Sequence, residues 1–105
     1  MHPHIAALQE VIAEIEALTE QDDWPGLAAA DERARERVVA AGDAAKKGEA
    51  PLDAVLMQLD VLQLVFERAR AKAVFARDEA ASSLRSTNQI YKAAQTYLGT
   101  LSRGS

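Results

Sequence analysis

The chain has 105 residues, 22 of them alanine, with five glycines, three prolines, no cysteine, a net charge of −4 at pH 7 and a pI near 5.1. One helical domain fits that length and composition; the missing cysteines exclude disulfides, thiol catalysis and cysteine zinc sites, and the acidic balance argues against a nucleic-acid partner. The richest apolar run, "AVLMQLDVLQLVF", has 13 residues and is interrupted by Gln58, Asp60 and Gln63, short of the ~20 needed for a membrane span.

The opening "MHPHIAALQE" lacks a basic region ahead of an apolar core, so it does not read as a secretory signal. A soluble, cytoplasmic protein without membrane insertion is expected. From Ile5, apolar residues recur as Ile5, Leu8, Ile12 and Ile15, with Val11 and Leu18 flanking. That spacing predicts an amphipathic helix over about residues 4–20.

The stretch "QDDWPGL" then punctuates the chain. Asp22 or Asp23 suits the N-cap of a new helix, and Pro25 is tolerated in its first turn. Leu27, Ala30, Ala34, Val38 and Ala41 form a second stripe, predicting a helix over 24–41. Its other face, "DERARER", pairs Asp31 with Arg35 four residues on and reads as solvated. Trp24, the single tryptophan, is expected with Leu27 to cover the corner between the first two helices, as a hydrophobic staple does. Direct contact of Trp24 with a ligand is the alternative.

"AGDAAKKGEAPL" reads as a linker, with Gly42 and Gly48 suited to helix ends and Pro51 opening the next helix. The third helix is predicted over 51–83. Leu52, Val55, Leu59, Leu62, Phe66, Ala69, Ala73, Ala76 and Ala80 hold a heptad-like register along it. "SSLRSTN", residues 82–88, is the expected break, because serine, threonine and asparagine prefer caps to helix interiors. A short fourth helix over 88–101 would present Ile90, Tyr91, Ala94, Tyr97, Leu98 and Leu101, and the final "SRGS" is expected to be disordered. The fold expected is thus an all-α, small antiparallel bundle.

The third helix is apolar on two sides. Met57, Val61, Leu64, Val65 and Phe75 lie away from its main stripe, so a second cover is needed. Three covers are available: the fourth helix folded back, a second copy of the chain in a homodimer, or a client protein. Helical-wheel placement puts the client groove at Leu62, Leu64, Val65, Phe66 and Phe75. Charge is uneven as well: residues 1–66 hold 13 acidic and 5 basic side chains, residues 67–105 hold 3 and 7. Either the halves pack together or the second is a basic docking surface.

No catalytic residues, metal site or cofactor are expected. His2 and His4, the two histidines, sit in what reads as a frayed terminus, and no Glu-x-x-His pair exists. Glu10 and Glu14 form an ordinary helix-surface pair. Glycine loops that cradle phosphate are absent, and the serines have no histidine base nearby.

Two short helices, a W-x-x-L signature (Trp24, Leu27), one long helix, and a last element opening N-x-x-Y (Asn88, Tyr91) resemble the FliT-type flagellar export chaperones, over about residues 5–101. The resemblance implies a cytoplasmic chaperone that binds the C-terminal helical region of the flagellar filament-cap protein. It would prevent premature assembly and deliver that subunit to the flagellar type III export ATPase complex. It further implies a C-terminal lid helix, carried here by Asn88, Tyr91 and Leu98, that restrains client binding, and in some members a flagellar transcription regulator as a second partner. The alternatives are a chaperone for the hook–filament junction proteins and a self-associating structural bundle.

Overall fold

A computed structural model describes residues 2–104, with side chains through residue 99. Every element among them is helical: α1 (Pro3–Glu20), α2 (Trp24–Lys46) and α3 (Leu52–Gly104). The side chains of Leu101 and of "SRGS" lie outside the described residues. No described helix is long and apolar enough to cross a membrane.

α1 begins on His2, whose ring Nδ1 accepts from the His4 amide at 3.2 Å, and Pro3 takes the first helical position. There a missing N–H costs nothing. His2 Nε2 also lies 2.7 Å from the Glu49 carbonyl in the α2–α3 connection. The terminus expected to fray is therefore pinned, because one ring satisfies a free helix amide and a loop carbonyl together.

The α1–α2 corner takes only three residues. Asp22 adopts φ 55°, and the Asp22 and Asp23 amides donate to the carbonyls of Thr19 and Leu18 at 3.3 and 3.0 Å. That is a Schellman ending with an aspartate in the left-handed position usually held by glycine. Asp23 then caps α2, its Oδ1 accepting from the Gly26 amide at 3.0 Å. Lys72 of α3 locks the same corner, donating to the Thr19 carbonyl at 2.8 Å and pairing with Asp22 at 3.2 Å. α1 has no basic residue in its last turn, so Lys72 supplies the cation that its carbonyl end favours.

α2 runs five residues past its expected end at 41. Gly42 lies in its interior, and the stop comes at Gly48, with φ 73°. The Gly48 and Glu49 amides donate to the carbonyls of Ala45 and Ala44 at 3.1 and 2.8 Å, a second Schellman motif. The extra turn buries Ala44 beside Ala41; one glycine in a helix costs only about 1 kcal/mol, so packing overrides it.

The chain divides into two compact units, the first ending at Ala73 and the second beginning at Val74. In the first unit, two apolar clusters each draw on all three helices. One joins Val11, Ile12 and Ile15 to Ala30, Ala34, Leu62 and Val65; the other joins Ile5 and Leu8 to Ala41, Ala44, Ala50 and Val55. The early turns of α1 thus meet the late turns of α2, and the late turns of α1 meet the early ones. Alanine on the α2 side lets α1 approach closely, while the branched residues of α1 and α3 supply bulk. Arg33 of the "solvated" face reaches Glu14, and Arg37 donates to the Ala7 carbonyl at 2.8 Å, so two of its arginines tie α2 to α1. Asp31 and Arg35 pair at 3.2 Å.

The second unit is the remainder of α3. No break occurs at 82–88, and no separate fourth helix forms. Thr87 Oγ1 donates to the Ser83 carbonyl at 3.0 Å, which lets a residue suited to caps sit inside a helix. The sequence holds no glycine or proline from 52 to 98, so each polar residue there lowers propensity only by tenths of a kcal/mol, roughly. The helix also takes in residues 102–104, where a disordered tail was expected.

Candidate helix-binding groove

The α1–α2 corner and α3 leave an open groove of about 570 Å³ between the first turns of α2 and the middle of α3. Trp24 and Leu27 from α2 and Phe66 from α3 form its apolar walls, and Ala28, Ala69 and Ala73 its small surfaces. Asp31, Arg35, Gln63 and Arg70 complete the lining. On each helix the lining covers 10 to 11 residues of rise, or about 15 Å at 1.5 Å per residue, which matches roughly three turns of a helix laid against it.

Trp24 is only half-buried and belongs to neither apolar cluster, whereas Leu27 and Phe66 both pack against the first. Leu27 thus holds the corner from within, and Trp24 stands at the groove. The corner's rigidity comes instead from Asp22, Asp23, Gly26 and Lys72. Gly26 is needed there: a Cβ on it would lie 2.5 Å from Asp23 Oδ2 and 2.8 Å from Leu18 Cδ2. The sequence signal for this was the D-D-W-P-G run, which marks a turn but does not say which aspartate caps.

The groove proposed from the helical wheel is not assembled as a set. Leu62 and Val65 are core, 5% and 3% exposed; Val65 sits three residues from Leu62 and four from Ala69, which puts it on the inward stripe rather than the opposite face. Leu64 and Phe75 are exposed, as are Met57 and Val61. Only Phe66 of the five reaches the groove. The lid residues Asn88, Tyr91 and Leu98 are exposed and belong to the continuous α3, so they form no helix of their own. Leu84, Ile90 and Tyr97 of the same stretch are also 64–70% exposed.

A smaller pocket of about 190 Å³ is lined by Glu16, Thr19, Glu20, Val65 and Arg68. Among the described residues, no three side chains of metal-binding type converge, and no buried side-chain polar atom lacks a partner. Such a surface offers apolar area and rim charge, which suits recognition of an amphipathic segment. Compared with known proteins, the chain matches no family model, no curated protein and no solved structure.

Proposed function

We propose that this protein is a flagellar export chaperone: a helical clamp without chemistry that holds an amphipathic helix of the filament-cap protein. It keeps that subunit from assembling early and passes it to the export ATPase complex. The observation that carries the reading is the groove itself. Trp24 and Leu27, which bear the chaperone-like W-x-x-L signature, and Phe66 of the long helix line one open apolar surface. The meeting of early α1 with late α2, and of late α1 with early α2, supports an antiparallel helical bundle as the scaffold. A transcription regulator would be a second user of the same surface.

The test is calorimetric titration of the full chain with purified filament-cap protein. A one-to-one complex is expected, weakened about tenfold or more by Trp24→Ala, the scale of an aromatic anchor in an interface. Absence of any complex, or full affinity in the Trp24 variant, refutes the reading.

One observation favours a second reading. Met57 and Leu64 are 64% and 54% exposed on the outer side of α3, and such a face suits a homodimer seam in a self-associating bundle. Light scattering decides it: a dimer lost on Leu64→Glu supports the seam, and a monomer at micromolar concentration removes it.

A further inference from the structure

We infer that the groove selects a helix whose apolar stripe is flanked by carboxylates, with Arg70 of α3 and Arg35 of α2 as the selecting charges. This rests on the groove being a helix-binding surface, as proposed above. Up to Ala73 the chain holds 14 acidic and 8 basic side chains, a balance of −6. Against that background the groove is lined by two arginines, one from each helix, and one carboxylate, Asp31.

Asp31 is already engaged with Arg35 at 3.2 Å, on an arginine side chain 78% exposed. Arg70 is exposed and forms no ion pair among the described residues. The same lining carries Trp24 and Phe66, with alanines at 28, 69 and 73 that allow a helix backbone to come close. An occupant about three turns long would place apolar residues at i, i+3 or i+4, and i+7 against the rings, and acidic residues beside that stripe would meet the guanidinium groups, which bind carboxylates in a planar, two-pronged way. The chain's own distal α3 makes a poor occupant from a second copy. Residues 80–105 contain three cations and no carboxylate, so it would bring like charge to the arginines.

The test uses two synthetic helical peptides with the same leucine stripe, one flanked by glutamates and one by lysines. Trp24, the single tryptophan, reports binding through its emission, and anisotropy of a labelled peptide gives the affinity. The overall field of an acidic protein favours the lysine peptide, so a preference for glutamate must come from the rim. The glutamate peptide is expected to bind about fivefold tighter or more at low salt, the gap closing as salt screens it. Arg70→Glu should reverse the order, and Arg35→Gln should narrow it, with unchanged circular dichroism in both. Equal binding of the two peptides, or an order untouched by Arg70→Glu, overturns the charge inference and leaves the groove standing. If neither peptide binds, the helix-binding reading falls with it. Emission from Trp24 that changes with protein concentration alone makes a second copy the occupant and also overturns the inference.

Discussion

Gly26→Ala offers a sharp test of the α1–α2 corner. Alanine in a helix is ordinarily worth about 1 kcal/mol over glycine, so propensity alone predicts stabilisation. Geometry opposes it: the new Cβ would stand 2.5 Å from Asp23 Oδ2, 2.8 Å from Asp23 Cγ and 2.8 Å from Leu18 Cδ2. Asp23 cannot swing away without giving up its 3.0 Å bond to the Gly26 amide, a cap worth about 1 kcal/mol. Leu18 cannot move without disturbing the cluster it packs against, and overpacking of this kind costs at least about 1 kcal/mol.

The balance is a net loss of about 1 kcal/mol, or roughly 4–8 °C in Tm for a domain of this size. Gly42→Ala is the matched control, because nothing lies within 4 Å of its Cβ position and it sits inside α2; it should gain up to about 1 kcal/mol. Urea unfolding followed by circular dichroism and by Trp24 emission measures both. In an Asp23→Ala background the cost of Gly26→Ala should shrink, since the cap is already gone and the two sites share one contact. A Gly26→Ala protein as stable as the parent would refute the account of the corner.

Three further outcomes are expected. Leu8→Ala, at a side chain with no exposure, should cost about 2–5 kcal/mol, whereas Leu64→Ala at 54% exposure should stay within about 0.5 kcal/mol of the parent; urea midpoints compare them. Lys72→Ala, which removes the cation from the carbonyl end of α1 and from Asp22, should cost about 1 kcal/mol, less in high salt. Leu84→Glu and Ile90→Glu, at 66% and 70% exposure, should leave the urea midpoint unchanged; a loss above about 1 kcal/mol would mean that this face of α3 is packed in solution.

The sequence by itself determined that the described elements are helical, where the first three begin, and much of their inward faces. Ile5, Leu8, Ile12 and Ile15 of α1, and Ala30, Ala34 and Ala41 of α2, are buried as their spacing requires, because a period near 3.6 admits one inward stripe. The end of α2 was misplaced at Gly42, since a glycine signals an ending only where the chain turns left-handed, and that happens at Gly48. The break at 82–88 failed for a related reason: cap-preferring residues end a helix only when something draws the backbone away, and Thr87 instead bonds back into its own helix.

What only the tertiary structure decided is which apolar residues of α3 are interior and which remain open. Leu62 and Val65 face α1 and α2 while Leu64 does not, and a helix with apolar residues nearly all round carries no internal rule for choosing between its sides. The groove has the same origin. Trp24 and Phe66 lie 42 positions apart in the chain, and they share a surface because Schellman turns at Asp22 and Gly48 and the Lys72 contact with the end of α1 bring α2 and α3 together. Local spacing determines which face of a helix is apolar, but only packing against distant segments determines which part of that face is left uncovered.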